Sequence, residues 1–192
     1  MQRLGPHRWT REIYDRMVAG GFFAPGERVE LIDGEILTVT PQGTAHAVSV
    51  RLARKALEVA FGAGFEINVQ LPLALDAMSE PEPDLSVTRG RPRDFLESHP
   101  TPAETVLIAE IADSTLEHDR LIKGGLYARA SIPEYWVVNL IDRHLEVFRN
   151  PRPDAQAPLG FRYSEALVIR TGEAMTPLFA PASLVNITDL LP

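Results

Sequence analysis

The segment Thr105–Ala112 constrains the fold of this chain more than any other part of the sequence. It reads Thr-Val-Leu-Ile-Ala-Glu-Ile-Ala, and its β-branched and apolar residues are typical of a buried strand. Glu110 lies inside this run. A buried carboxylate costs several kcal/mol unless a cation or hydrogen-bond donors compensate its charge. The sequence therefore predicts a central strand that carries one compensated acidic side chain.

A second carboxylate and a lysine accompany that strand. Asp84 follows Pro83 and opens the apolar segment Asp-Leu-Ser-Val, and Lys123 is one of only two lysines in the chain. Two carboxylates brought together repel each other, and the pKa of each rises, unless a divalent metal ion or an ammonium lies between them. The combination predicts a metal-dependent phosphodiesterase site in which Lys123 supplies part of the positive charge.

The two carboxylates also have simpler structural interpretations. An aspartate after a proline often caps a turn, and Asp84 taken alone favours that role. Glu110 could instead form a structural ion pair with Arg120 or Arg129, because structural networks also hold buried carboxylates. Sequence alone leaves both interpretations open.

Lys123 has two interpretations as well. It could pair with Asp119, four residues earlier on a solvated helix face, for about 0.3–0.5 kcal/mol. The alternative rests on Gly124 and Gly125, because each glycine inside a helix costs roughly 1 kcal/mol relative to alanine and indicates close approach to another segment. The helix begins where the strand of Glu110 ends, so we expect Lys123 to lie beside the two carboxylates.

Composition limits the class of protein. With 192 residues and 45% hydrophobic content, the chain can bury roughly 70% of its unfolded surface in one core, so we expect residues 1–192 to form a single domain. The lack of cysteine excludes a disulfide framework and thiolate metal sites. No apolar run matches a membrane span or a signal peptide, which predicts a cytoplasmic protein. The formal net charge of −7 argues against non-specific wrapping of nucleic acid.

Three segments have the features of helices. Thr10 is placed to cap the first, and His46 lies on the apolar stripe of the second, which follows a connection at Pro41–Thr44. Ser114, with Glu117 three residues later, forms a capping-box pattern at the start of the third. The predicted helices are Thr10–Ala19, Ala45–Phe61 and Ser114–Ala130.

Strand patterns surround these helices. Asp33-Gly34, between Glu-Leu-Ile and Glu-Ile-Leu, is the strongest hairpin signal in the chain. The connections before Glu110 are short enough for antiparallel pairing, whereas a helix follows it, so we expect an α/β protein with a mixed β-sheet flanked by helices. An amino-terminal hairpin and extra carboxy-terminal strands complete this prediction. The predicted strand segments are Val29–Val39, Phe65–Leu75, Thr105–Ala112, Glu134–Leu140, His144–Arg149, Tyr163–Arg170 and Ser183–Asn186, with a further strand opened by Asp84.

An ordered set of these residues resembles a known family. The set comprises Asp84-Leu-Ser-Val, Ala109-Glu110-Ile-Ala-Asp-Ser114-Thr115, Asp119, Lys123, Tyr127 and Ile132-Pro133-Glu134-Tyr135-Trp136-Val137-Val138. It is similar to the Uma-type family of putative restriction endonucleases in the PD-(D/E)XK nuclease superfamily. Glu30-Leu-Ile-Asp-Gly-Glu35 and His46 at a helix start also resemble the amino-terminal pattern of that family.

The resemblance implies a restriction-endonuclease-like fold and a nuclease that uses Mg²⁺ or Mn²⁺ to hydrolyse phosphodiester bonds, in DNA. It implies that Asp84 and Glu110 ligate the ion and that Lys123 acts beside them. The superfamily usually places the lysine two residues after the glutamate, where this chain has Ala112. The Uma-type variant places it on the following helix, where Lys123 fits.

Five further residues have roles that the sequence leaves open. Glu30 resembles an additional acidic metal-ligand position, and Glu35 competes for that role. His46 could donate a hydrogen bond to Glu110 or Glu30, although a histidine on an apolar stripe is more often a hydrogen-bonded core residue, which we favour. Gln70 could point at a metal-bound water. Asn139 stands where many relatives have an acidic residue, and we expect this difference to matter little.

Two other classes of function compete with a nuclease. One is a nuclease-fold protein that binds a partner or nucleic acid without cleavage, and the other is a scaffold homodimer joined through a sheet edge. The combination of Asp84, Glu110 and Lys123 favours catalysis, because a scaffold has no need of a buried like-charge pair with a cation. Cleavage of a duplex requires two strands to be addressed, so we also expect a twofold homodimer.

Overall fold

The computed structural model describes residues 5–39 and 42–192 of the chain. Its strands are β1 (Val29–Ile32), β2 (Glu35–Thr38), β3 (Phe65–Val69), β4 (Leu85–Arg89), β5 (Thr105–Ala112), β6 (Glu134–Asn139), β7 (His144–Pro153), β8 (Phe161–Arg170), β9 (Ala174–Met175) and β10 (Val185–Asn186). The main sheet has the order β3-β4-β5-β6-β7-β8. Only β5 and β6 run parallel within it, and the other neighbours are antiparallel. The predicted mixed sheet is confirmed.

The helices flank this sheet. They are α1 (Arg11–Ala19), α2 (Thr44–Phe61), α3 (Leu116–His118) and α4 (Gly124–Arg129), and a π-helical turn (Asp119–Lys123) joins α3 to α4. Thr10 caps α1 as predicted, with its hydroxyl accepting a bond from the Ile13 amide. The capping box predicted at Ser114 is wrong, because Thr115 is the residue that precedes α3. The predicted connection at Pro41–Thr44 lies partly outside the described residues. No described helix is long and apolar enough to cross a membrane.

The β1–β2 hairpin turns at Asp33-Gly34, as predicted. These residues have φ angles of 48° and 80°, and positive φ at both positions is the requirement of a two-residue type I′ hairpin turn. A Cβ atom on Gly34 would lie 2.9 Å from Arg8 Cβ, so any other residue at this position would force its neighbour to shift. Backbone pairing of Leu31 with Glu80 fixes the hairpin to the loop before β4.

The central strand β5 is buried at all eight positions, which confirms the prediction for Thr105–Ala112. Successive side chains of a strand point to opposite faces of the sheet. Ala109 and Ile111 join the apolar core on the α2 side, whereas Ile108 and Ala112 join the core on the α4 side. Glu110 therefore points to the side on which the π turn and α4 lie.

The two glycines at the start of α4 pack closely against the sheet. A Cβ atom on Gly125 would lie 3.3 Å from the Phe161 carbonyl oxygen of β8, and one on Gly124 would lie 3.6 Å from the Tyr135 ring. The close approach that the sequence indicated is therefore an approach of α4 to the sheet. It brings the preceding π turn near the end of β5.

Glu80, beside the hairpin, is expected to make stability depend on pH. Burial, together with the negative charge of Asp15, raises the pKa of Glu80 from 4.5 to about 7. The folded chain then binds this proton more tightly than the unfolded chain, so the free energy of unfolding falls as pH rises through that range. The free energy of unfolding, measured in urea, should fall between about pH 5 and pH 8 in the parent. In Glu80→Gln this fall should be smaller by about 1–2 kcal/mol. Glu97→Gln, at an exposed position, serves as the matched control, and parallel pH curves for the parent and Glu80→Gln would contradict the assignment.

Candidate active site

A cavity of about 410 Å³ lies between the β1–β2 hairpin and the helical segment that follows β5. Its wall includes the three predicted catalytic residues, Asp84, Glu110 and Lys123, and also Glu30. These residues come from four separate segments of the chain. The structure therefore brings the predicted residues together, as the chain direction at the end of β5 led us to expect.

Asp84 lies immediately before β4 and is 8% exposed. Its Oδ1 atom accepts hydrogen bonds from His46 Nε2 and Gln70 Nε2, both at 3.0 Å, and its Oδ2 atom accepts one from the Ile111 amide at 2.9 Å. Burial opposes the charge, but the hydrogen bonds from His46 and Gln70 leave the pKa of Asp84 below its usual value. Asp84 is thus an ionised carboxylate held by distant segments, and the interpretation as a simple turn cap is wrong.

Glu110 is 3% exposed and lies next to Asp84. Its Oε1 atom accepts hydrogen bonds from Lys123 Nζ at 2.9 Å and from the Tyr127 hydroxyl at 2.7 Å. Its Oε2 atom accepts one from the Asp84 amide at 3.2 Å. Glu110 therefore has two donors on one oxygen and one donor on the other.

The structural ion pairs considered for Glu110 are formed elsewhere. Arg120 binds Glu146 through two nitrogen atoms, and Arg129 binds Asp33 at 2.7 Å and Asp76 at 3.1 Å. The cationic partner of Glu110 is Lys123, so the alternative of a structural pair with an arginine is wrong.

Lys123 is the cation that contacts Glu110. Its Nζ atom lies 2.9 Å from Glu110 Oε1 and 3.5 Å from Glu30 Oε2, and its side chain is only 12% exposed. Burial opposes the positive charge, yet Glu110, Glu30 and Asp119 raise the pKa of Lys123 well above its usual range. Lys123 is therefore a buried ammonium, and a solvated helix-surface pair with Asp119 is not its role.

The carboxylates of the cavity carry more charge than Lys123 balances. Burial raises the pKa of Glu110, and the nearby charges of Asp84 and Asp119 add to this rise although Lys123 opposes it. Burial also raises the pKa of Asp119. Such shifts arise where carboxylates are buried and lie near other negative charges. A further cation would reduce the repulsion between these carboxylates.

The oxygen atoms of Asp84 and Glu110 fit a divalent metal ion. A carboxylate offers about four lone-pair positions, and each of these two side chains uses three of them for protein donors. One position remains on Asp84 Oδ2 and one on Glu110 Oε2. Within the described ranges, no group of three or more acidic or histidine side chains forms a complete metal cage. Magnesium binds through one or two carboxylates, with water and phosphate oxygens for the rest, so the donor set matches its preference.

Glu30 and Glu35 are separated by the hairpin turn. Glu30 is buried, lines the cavity and contacts Lys123, whereas the Glu35 side chain is 51% exposed and pairs with Arg8 at 3.3 Å. Of the two rivals, only Glu30 is placed to act in the site. Its role as a metal ligand stays a prediction.

The other residues that the sequence singled out have defined positions. His46 is buried and hydrogen-bonded, but it lines the cavity and binds Asp84, so it is a donor to a site carboxylate and not the core residue that we favoured. Its partner is neither Glu110 nor Glu30, and Gln70 also donates to Asp84. Asn139 is buried and binds Glu146 at 3.0 Å. His46 and Gln70 therefore orient Asp84, while Asn139 belongs to a separate polar network.

Two groups in or beside the cavity were not assigned a role from the sequence. The Tyr127 hydroxyl donates to Glu110 from outside the cavity lining, and buried Asp119 lines the cavity. The available signal was the four-residue spacing of Asp119, Lys123 and Tyr127, which places all three toward one side of the helical segment. Only the lysine was assigned a role.

Comparisons with known proteins identify the family and the fold of this chain. The Uma2 family model, described as a putative restriction endonuclease, matches residues 11–179. The crystal structure of a putative nuclease belonging to DUF820 from Anabaena variabilis has a TM-score of 0.63 at 16% sequence identity, with 86% of this chain and 90% of that chain covered, which confirms the nuclease-like fold. No curated protein matches the sequence. The match over most of the chain shows that this protein belongs to the Uma2 family.

Proposed function

We propose that this protein is a divalent-metal-dependent nuclease that hydrolyses phosphodiester bonds in DNA. The observation that carries the proposal is the pair of adjacent buried carboxylates, Asp84 and Glu110, each with one uncommitted oxygen position, beside the Lys123 ammonium. Membership in a family of putative restriction endonucleases supports the same reaction class. Asp84 and Glu110 are the proposed metal ligands, with Glu30 as a third candidate.

The charge of the cavity supports a requirement for metal. The lining includes two permanent cations, Arg28 and Lys123, and six carboxylates: Glu30, Glu82, Asp84, Glu110, Asp113 and Asp119. Arg28 is already paired with Glu82 at 2.9 Å. A phosphodiester anion is repelled by such a wall unless a cation offsets the formal excess of negative charge.

Different residues of the site would have different roles in hydrolysis. A bound divalent ion polarises a phosphoryl oxygen and acidifies water. His46, Gln70 and the Ile111 amide hold Asp84 in one orientation, which keeps its ligand geometry fixed before substrate arrives. Lys123, held by Glu110, can direct an N–H group at the phosphate and stabilise the charge that develops there.

A cleavage assay tests the proposal directly. Plasmid, single-stranded DNA and RNA are each incubated with Mg²⁺, with Mn²⁺ or with a chelator. We expect metal-dependent cleavage of DNA by the parent and a loss of roughly 10²–10³ in rate for Asp84→Asn. Asp189→Asn, at an exposed position near the carboxy terminus, is the matched control and should retain activity. A folded parent protein that cleaves no substrate with either metal would contradict the proposal.

Two further predictions accompany this function. Residues 1–192 are proposed to form one PD-(D/E)XK nuclease-like domain, and the domain is proposed to act as a twofold dimer. β8 is an edge strand of the main sheet, with Leu167 37% and Val168 48% exposed. Pairing of this edge with a second copy would cover apolar surface and satisfy free backbone groups.

A further inference from the structure

Asp119 is a cavity carboxylate that the proposed mechanism has not used. It is only 4% exposed, and its Oδ2 atom accepts a bond from the Thr115 hydroxyl at 2.6 Å. Across the described part of the chain, no hydrogen bond reaches Oδ1. No fully buried side-chain oxygen there lacks a hydrogen-bond partner, so Oδ1 remains accessible from the cavity. An accessible carboxylate oxygen of this kind is satisfied by water or by a ligand.

A π-helical turn holds the backbone of Asp119 in place. Asp119 begins the π-helical turn, and its carbonyl oxygen accepts bonds from the Gly124 amide and from the Tyr135 hydroxyl, the latter at 3.0 Å. Short π-helical insertions are rare and occur often at functional sites. With the Thr115 bond, three contacts fix the residue. Its free oxygen is thus oriented before any substrate binds, as a catalytic group requires.

Several of the other polar groups of the cavity already have partners, and His118 is a further polar group of its lining. The remaining lone pairs of Asp84 and Glu110 are the proposed metal positions, and His46 is bound to Asp84. Lys123 is an ammonium between Glu110 and Glu30, so it donates protons and does not accept them. Hydrolysis nevertheless needs a group that accepts a proton from the attacking water.

We infer that Asp119 is a further catalytic residue, whose Oδ1 atom binds the attacking water and takes its proton. The inference rests on the proposed nuclease function. The water oxygen forms a bond to phosphorus, and the bond from phosphorus to one ester oxygen breaks. The electron pair of that bond stays on the leaving oxygen, which takes a proton from solvent, while the water proton passes to Asp119.

The first test is Asp119→Asn, whose amide oxygen can still accept the Thr115 bond. We expect the single-turnover rate at saturating Mn²⁺ to fall by roughly 10²–10⁴, while Mn²⁺ affinity measured without substrate and the urea midpoint stay unchanged. The difference in rate between Asp119→Asn and the parent should become smaller at high pH, where hydroxide from solvent can attack without the help of a base. Glu117→Gln, an exposed carboxylate two residues earlier and outside the cavity, is the matched control and should keep the parental rate.

A second variant separates chemistry from folding. Asp119→Ala leaves space in the cavity, and added formate should restore part of its rate, whereas formate should not affect Asp84→Asn. Parental activity in Asp119→Asn would overturn the inference and leave the proposed function intact. A weakened Mn²⁺ affinity, with the rate recovered at high Mn²⁺, would make Asp119 a ligand and also overturn it. A parent inactive on every substrate would overturn both.

Discussion

Replacing Lys123 by alanine is expected to abolish cleavage and also to lower the free energy of unfolding by about 3–5 kcal/mol. The ammonium is buried between Glu110 and Glu30, so its removal leaves two carboxylates without their cation in a site of low dielectric constant. Loss of a cation that stabilises transition-state charge costs roughly 10²–10³ in rate. Because Lys123 is buried and not a solvated surface residue, its removal affects stability as well as cleavage.

The chain supplies its own control for this experiment. The only other lysine, Lys55, is exposed on α2. Lys55→Ala therefore changes the net charge of the protein by the same amount as Lys123→Ala but leaves the cavity unchanged. Urea unfolding measures the stability term, and single-turnover cleavage of DNA measures the rate. In a Glu110→Gln background, Lys123→Ala should cost less stability than in the parent, because the charge left behind is already reduced. Parental stability in Lys123→Ala would contradict the ion pair.

Local sequence patterns predicted much of the fold because local physics decides those features. Asp33-Gly34 predicted its hairpin because the turn requires positive φ angles at both positions. Thr105–Ala112 predicted the central strand because an unbroken apolar run suits a strand covered on both faces. The meeting of Glu110 with Lys123 followed from the chain direction, since a helix that starts at the end of a strand must pass close to that end.

The partners of the buried polar groups could not be predicted in the same way. His46 lies 38 residues from Asp84 in sequence, and Gln70 lies 14 residues from it, so tertiary packing alone brings them together. The capping box failed for a local reason, because the Asp113 carboxylate binds the Ser114 amide and hydroxyl and holds Ser114 in the loop. The π turn also has no distinctive sequence pattern, and it changes which side chains of the helical segment face the cavity.

Divalent metal is expected to stabilise the folded protein and to raise its melting temperature by about 5–10 °C at roughly one hundred times the dissociation constant. An ion that binds the folded chain and not the unfolded chain adds about 2.7 kcal/mol to the free energy of unfolding under that condition. The gathered carboxylates provide the reason, because burial and mutual repulsion raise the pKa of Glu110 and Asp119 in the metal-free protein. A cation between Asp84 and Glu110 relieves that repulsion.

Thermal unfolding with and without Mn²⁺, followed by circular dichroism, measures this shift. Asp84→Asn and Glu110→Gln should each melt at a temperature that Mn²⁺ barely changes, whereas Glu117→Gln, outside the cavity, should show the full parental shift. Each of the two site variants also removes a negative charge from a crowded cluster, so its metal-free melting temperature need not fall. The informative quantity is therefore the metal-induced difference within each variant. A full Mn²⁺ shift in a variant that carries both Asp84→Asn and Glu110→Gln would place the stabilising ion elsewhere on the protein and would remove Asp84 and Glu110 as its ligands.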